Sequence, residues 1–115
     1  AHFLPKVPDK HRCRRMHGHS FKIDVVLGGE ANEETGFLID FYDLDRVVQP
    51  VIDSIDHRLL NEIPGLENPT SEVIARYVFD RIFPSLPGLC SVTLWETVDS
   101  RCIYYGPHGP VRNRG

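Results

Sequence analysis

The sequence predicts an α+β domain: an antiparallel sheet of four strands with two helices on one face. Three observations lead there. Apolar and polar residues alternate from His17 to Leu27 and again from Ser91 to Val98, the period of half-buried strands. Between these stretches the apolar spacing changes twice to three and four residues, the period of a helix. The chain has 115 residues, enough for one modest core and too few for two, so the elements share a single domain, expected over residues 1–106.

Leu4 to Met16 contains Pro5, Pro8 and a cluster of Lys, Arg and His with no sustained apolar period, which makes it a loop; Cys13 lies in it. The first strand follows, with His17, His19, Phe21, Ile23, Val25 and Leu27 on one side and Ser20, Lys22 and Asp24 on the other. Gly28 and Gly29 end it, and the polar run from Glu30 to Gly36 leads to a short apolar strand, Phe37-Leu38-Ile39. Helical spacing runs from Asp43 to Ile55 through Leu44, Val47, Val48 and Val51, with Pro50 expected to kink or interrupt it. The second helix starts at Asn68-Pro69-Thr70-Ser71-Glu72, where capping residues, a proline and an early acid precede the apolar face Val73, Ile74, Tyr77, Val78 and Ile82. Ser91 to Val98 and the return strand Cys102 to Tyr105 form a hairpin around Asp99-Ser100-Arg101. Residues 107–115, rich in Pro, Gly and Arg, read as a flexible tail. With helices on one sheet face, the other face needs a cover, and the expected cover is another copy of the chain.

Composition removes several classes of function. A formal charge of −3 without a basic stripe argues against nucleic acid as a partner. No window approaches the roughly 18 apolar residues of a membrane span, and no charged-then-apolar leader opens the chain, so a soluble protein is expected. The three cysteines, Cys13, Cys90 and Cys102, are an odd count at unrelated spacings, which fits a reducing compartment, the cytoplasm, better than a disulfide framework. Cys90 and Cys102 are expected to pack as small apolar residues. The sequence opens at Ala1 without an initiator methionine, as a start inside a longer product would.

The chemistry concentrates in the first twenty residues. His17-Gly18-His19 places two imidazoles on one face of a strand, within reach of one metal ion. His2 supplies a third if Ala1 to Phe3 ends a neighbouring strand. Cys13, four residues before His17 and bracketed by Arg12, Arg14 and Arg15, sits in a cationic setting that favours thiolate. A thiolate suits two roles equally: acid-base work beside an open metal site, or the fourth ligand of a closed Cys-His-His-His structural site. Glu96 falls on the strand face of Val92, Leu94 and Val98, where a carboxylate is costly unless it is paired or serves a ligand. It either pairs with an arginine or accepts paired N–H groups from the edge of a heterocycle such as a pterin or guanine. In Asp56-His57 a carboxylate is placed to fix the tautomer of an imidazole and raise its basicity.

Taken together, these landmarks make the chain similar to the family of 6-pyruvoyltetrahydropterin and 6-carboxytetrahydropterin synthases, from Ala1-His2-Phe3-Leu4-Pro5 to Cys102-Ile103-Tyr104-Tyr105-Gly106. In order they are Cys13-x-x-x-His17-Gly18-His19, Thr35-Gly36-Phe37-Leu38-Ile39-Asp40-Phe41, Leu44 leading to Asp56-His57-x-Leu59-Leu60-Asn61, Asn68-Pro69-Thr70-Ser71-Glu72, and Trp95-Glu96-Thr97. The resemblance implies zinc on His2, His17 and His19, Cys13 as catalytic base, and Asp56 with His57 as its partner acid-base pair. It also implies that Glu96 anchors a pterin ring with Thr70 and Ser71 beside it. The implied architecture is the tunnelling fold, in which trimers close a continuous antiparallel barrel and two trimers stack as a hexamer, with sites between subunits. One departure stands out: family members carry a full strand before the residue matching His2, of which Ala1 alone is present here.

The short gap from Cys13 to His17 resembles the bacterial carboxytetrahydropterin synthases of queuosine and other deazapurine biosynthesis. The implied reaction converts 7,8-dihydroneopterin triphosphate to 6-carboxy-5,6,7,8-tetrahydropterin with release of acetaldehyde and triphosphate. Lys22 and the arginines around Cys13 are candidates for the triphosphate. Two alternatives stay open: a pyruvoyl synthase, which eliminates triphosphate and keeps the side-chain carbons, and a pterin- or purine-binding module with a structural zinc on Cys13 and the three histidines.

Overall fold

The computed structural model describes residues 1–109. Strand β1 (Lys22–Leu27) is followed by helix α1 (Phe41–Asp53), helix α2 (Ser71–Ile82), strand β2 (Leu89–Trp95) and strand β3 (Arg101–Tyr104), with single 3-10 turns at Arg12–Arg14 and Leu60–Glu62. The strands form one antiparallel sheet in the order β1-β2-β3.

Register sorts the side chains. Ile23 pairs with Leu94 and Leu94 with Cys102, while Val25 pairs with Val92 and Val92 with Tyr104; this is the face that enters the core. The opposite face carries Lys22, Trp95 and Arg101 in one row and Asp24, Thr93 and Ile103 in the next. On it the indole of Trp95 donates to Asp24 Oδ2 at 2.8 Å, and its ring is flanked by Lys22 Nζ at 5.5 Å and the Arg101 guanidinium at 5.1 Å.

Helix α2 starts where Thr70 Oγ1 accepts the Val73 N–H at 3.2 Å. Ile74, Ala75, Val78 and Ile82 recur at helical spacing and are wholly buried, with α2 lying on β2 and β3. Each of the larger of these side chains contributes about 1.5–3 kcal/mol by leaving water. Phe79 meets Tyr104 edge-on at 5.2 Å, and Gly106, with φ at 90°, fits beneath the Phe79 ring where a Cβ would come within 2.9 Å of it. Helix α1 packs on α2 through half-buried Val47, Val48 and Val51 rather than directly on the sheet. A cavity of about 460 Å³ lies between its C-terminal end and β1, with Ile52, Ile55 and Ile23 in its wall.

The α+β class, the antiparallel sheet and the two helices agree with the sequence, and several boundaries do not. The sheet has three strands among the described residues, because Phe37-Leu38-Ile39 forms no strand. Asn32 folds the preceding segment back on itself: its side chain accepts from the Glu34 and Thr35 amides, and its own amide donates to the Phe37 carbonyl at 2.7 Å. Helix α1 starts at Phe41 rather than Asp43, since Asp40 caps it by accepting the Tyr42 N–H at 2.9 Å. It runs through Pro50, whose ring fixes a helical φ and forfeits one backbone bond. The strand expected from His17 starts at Lys22, and the strand expected to reach Val98 ends at Trp95, leaving Val98 88% exposed. Cys90 is exposed rather than packed, whereas burial, and after it the Glu72 carboxylate, push the Cys102 thiol up.

Of the tail expected at 107–115, residues 107–109 form a turn closed by Gly109 N–H to the Gly106 carbonyl at 3.2 Å, and the remainder lies outside the described residues. No described helix is long and apolar enough to cross a membrane.

Candidate functional site

The N-terminal residues are held from two sides. On one, His2 and His17 exchange backbone hydrogen bonds of 2.9 and 3.0 Å in an isolated antiparallel bridge. On the other, the segment after the Asp56-His57 loop grips the chain: Leu60 N–H donates to the Ala1 carbonyl at 2.9 Å, and the Asn61 amide accepts from Phe3 N–H at 3.0 Å and donates to the Phe3 carbonyl at 2.8 Å. His2 is thereby fixed with 1% of its surface exposed.

Three imidazoles converge there. Ring centroids of His2 and His17 are 4.6 Å apart, those of His17 and His19 4.9 Å, and those of His2 and His19 5.1 Å. Phe21 walls the group on one side, 5.6 Å from His2 and 5.3 Å from His19. His2 Nδ1 lies 2.8 Å from the Pro69 carbonyl, and His17 Nδ1 2.7 Å from the Arg15 carbonyl. A carbonyl only accepts, so these partners assign the proton to Nδ1 and leave a lone pair on each Nε2. Backbone carbonyls that orient imidazoles in this way are a common support for metal ligands.

Glu96 completes the cluster. It is the first residue past β2, and its Oε2 accepts the Ser71 hydroxyl at 2.9 Å. Its Oε1 lies 2.9 Å from His19 Nε2 and 3.7 Å from His2 Nε2. The close approach to His19 is out of line for a hydrogen bond, so the buried Nε2 atoms of His2 and His19 both lack a hydrogen-bond partner. Burial lowers the His2 pKa more than the Pro69 hydrogen bond raises it, which favours the neutral imidazole.

One ligand atom from each of His2, His17, His19 and Glu96 lies within 4.8 Å of the others, so the group is able to hold a metal ion. Ligands about 2.0–2.2 Å from a tetrahedral zinc are roughly 3.4 Å apart, so a small contraction suffices. The fit is chemical as well: a cation at that point satisfies the buried lone pairs and the carboxylate together.

The other expected residues are placed less tightly. The Cys13 sulfur is not among the donor atoms gathered here; the residue is half-buried in the 3-10 turn, its N–H donating to His11 Nδ1 at 3.1 Å. Of the arginines around it, Arg14 turns to Asp9 at 3.3 Å and the Val7 carbonyl at 2.9 Å. Asp56 Oδ1 is 3.0 Å from His57 Nδ1, and His57 adopts a left-handed backbone with φ at 57°, 92% of its side chain exposed. This pair and His19 border the cavity beneath α1. His19 also borders a second cavity of about 630 Å³ on the far side of the sheet, together with Lys22, Trp95 and Glu96. Ser71 touches Glu96, while the Thr70 hydroxyl caps α2.

Sequence reasoning missed Asn61 as a clamp and the carbonyls of Pro69 and Arg15 as imidazole supports. The signal for Asn61 was its place at the end of the Asp56-His57-x-Leu59-Leu60-Asn61 landmark, which gave it no role, and carbonyls leave none.

A profile of the family described as 6-pyruvoyl tetrahydropterin synthase matches residues 1–107. Over 113 residues the chain is 40% identical to a 6-carboxy-5,6,7,8-tetrahydropterin synthase of Synechocystis sp., covering 93% of this chain and 86% of that one. Over 84 residues it is 43% identical to a dihydroneopterin monophosphate aldolase of Pyrococcus furiosus, covering 70% of each. The solved structure of Caenorhabditis elegans 6-pyruvoyl tetrahydropterin synthase superposes with a TM-score of 0.84 at 28% identity, covering 91% of this chain and 86% of that one.

Proposed function

The chain belongs to the 6-pyruvoyl tetrahydropterin synthase family of enzymes, and on that premise we propose that it converts 7,8-dihydroneopterin triphosphate and water to 6-carboxy-5,6,7,8-tetrahydropterin, acetaldehyde and triphosphate. The observation that carries this reading is the convergence of His2, His17, His19 and Glu96 on one point in a chain with these relatives. The three histidines hold zinc, the divalent ion that neutral imidazoles and an open fourth position suit best. When bound, zinc supplies Lewis acidity toward the oxygens of the substrate side chain.

The chain's own residues do the rest. Glu96, steadied by Ser71, accepts paired N–H groups from the pterin edge, with Thr70 beside it at the cap of α2. Lys22, on the wall of the same cavity as Glu96, faces the triphosphate. The Cys13 thiolate removes a proton from the carbon next to the ring, and His57, oriented by Asp56, moves protons on the opposite side. That Cys13 stands outside the donor group favours the base over a fourth structural ligand.

The barrel of trimers, stacked as a hexamer, is part of the same proposal, supported by the edges that β1 and β3 leave unpaired among the described residues. So is a cytoplasmic setting, supported by three free cysteines, and a place in deazapurine biosynthesis of the queuosine type, supported by the Cys13-x-x-x-His17 spacing.

The test incubates zinc-loaded protein with 7,8-dihydroneopterin triphosphate and follows products by mass spectrometry beside an acetaldehyde assay. Carboxytetrahydropterin with acetaldehyde is expected. A pyruvoyl product without acetaldehyde replaces the proposal with the pyruvoyl synthase. Cleavage of 7,8-dihydroneopterin monophosphate in preference to the triphosphate replaces it with the aldolase named for the Pyrococcus relative.

A further inference from the structure

We propose that Glu96 is a displaceable fourth donor: in the substrate-free protein its Oε1 completes the coordination begun by His2, His17 and His19, and it leaves when a ring edge with paired N–H groups claims the carboxylate. The inference rests on the metal site described under the proposed function and adds a second task to a residue assigned there to substrate alone.

The geometry separates the two oxygens of Glu96. Its backbone is fixed by N–H donation to the Ser100 carbonyl at 2.9 Å, and Oε2 is held by the Ser71 hydroxyl at 2.9 Å from the first residue of α2. Oε1 is the oxygen left over, and it points among the imidazoles, 2.9 Å from His19 Nε2 and 3.7 Å from His2 Nε2.

As a partner for those histidines the carboxylate is poorly placed. His2 carries its proton on Nδ1, engaged with the Pro69 carbonyl, so a lone pair on Nε2 faces a lone pair on Oε1. An ion pair with a protonated His19 calls for an aligned N–H, and the approach is out of line. Two buried nitrogens without hydrogen bonds beside a carboxylate oxygen form a repulsive arrangement until a cation lies between them. A cation held by three neutral imidazoles keeps its full double charge, and one carboxylate halves it, which lowers the cost of burying the site.

Exchange is possible because Glu96 stands at a boundary. Its side chain is 27% exposed and borders the cavity that contains Lys22 and Trp95. A ligand entering there meets the carboxylate beside His19, while His2 and His17 lie outside the cavity wall. Anchoring of the ring and opening of the fourth position become one event, so the metal is presented to a side chain only when the correct ring is seated.

The experiment uses the full chain, stripped of metal and reloaded with Co(II), whose visible absorption follows the identity and number of its ligands. Glu96→Gln is expected to change the Co(II) spectrum and weaken Co(II) binding about tenfold or more in competition with a chelator. Glu96→Asp, which withdraws the charge by one methylene, is expected to do the same and serves if the glutamine variant fails to fold. Addition of 7,8-dihydroneopterin, which lacks the triphosphate leaving group, is expected to shift the wild-type spectrum and leave that of the variant in place. Superimposable spectra of wild type and variants put Glu96 outside the coordination sphere and overturn the proposal while the histidine site stands. A wild-type spectrum indifferent to the pterin overturns the displacement. Failure of the wild-type protein to take up Co(II) overturns the metal site and this proposal together.

Discussion

Asn61 bonds both backbone groups of Phe3, accepting from its N–H at 3.0 Å and donating to its carbonyl at 2.8 Å, and so does with one side chain what a neighbouring strand does with its backbone. Phe3 follows His2, which is also held by the bridge to His17, by the Pro69 carbonyl on Nδ1 and, one residue earlier, by Leu60 N–H on the Ala1 carbonyl. Asn61→Ala is therefore expected to lower zinc affinity by about 10–100-fold, as loss of a ligand's support commonly does, while leaving the far-ultraviolet circular dichroism unchanged. Chelator competition measures it, and an unchanged affinity means that the bridge and the Pro69 and Leu60 hydrogen bonds position His2 without the clamp.

Acid should destabilise the metal-free protein through His2. Burial holds this imidazole below its ordinary pKa near 6.5; the Pro69 carbonyl opposes the shift, His17 and His19 reinforce it, and Glu96 opposes it. The unfolded chain therefore takes up the proton first, so stability attributable to His2 is complete above pH 6.5 and is lost as pH falls toward the lower folded-state value. Thermal unfolding from about pH 8 to about pH 5 should show a midpoint that drops on the acid side, and a His2→Asn variant should show a shallower drop. A midpoint that rises with acid contradicts the sign.

Cys13→Ala separates base from ligand. The variant is expected to bind zinc as the parent does and to lose turnover by about 10²–10⁴-fold, the usual contribution of a positioned proton-transfer group. Metal content and rate are measured on one preparation. Loss of zinc together with activity would make Cys13 a ligand of a closed site.

Gly106→Ala tests the packing of α2 on the hairpin. A Cβ there meets the Phe79 ring at 2.9 Å on a backbone whose φ is 90°. A destabilisation of about 1–3 kcal/mol in urea unfolding is expected, with a smaller effect in a Phe79→Leu background, where the ring no longer blocks the space.

The parts of the fold legible in the sequence are those in which local pattern and tertiary burial agree. Val92, Leu94, Ile74, Val78 and Ile82 announce their faces by period, and Thr70 caps the helix it was expected to start. Phe37-Leu38-Ile39 misled because three apolar residues look like a strand, while the hydrogen bonds of the Asn32 turn decide the backbone. Pro50 misled in the other direction: its neighbours Val47, Val48 and Val51 pack on the core and carry the helix through. At the site, the convergence of His17 and His19 was read from a two-residue period, although the strand which that period predicts starts only at Lys22 and His17 is held by an isolated bridge. The place of His2 was not, since a bridge fifteen residues away in sequence and a side-chain clamp from Asn61 set it, and no local rule spans such separations. Glu96 was legible as an inward carboxylate and Ser71 as its neighbour, but histidines rather than an arginine stand at its other oxygen.

The packing around Trp95 also makes the molecule its own optical instrument. The chain has one tryptophan, and its indole is clamped by Asp24, Lys22 and Arg101 immediately before Glu96, on the wall of the cavity they share. Excited beyond the absorption of the four tyrosines, the protein thus emits from a single held indole at the mouth of the site. A conjugated ring that settles against Glu96, as proposed, is expected to quench that emission directly, so that occupancy is read in real time without a label, a coupled assay or a chemical step.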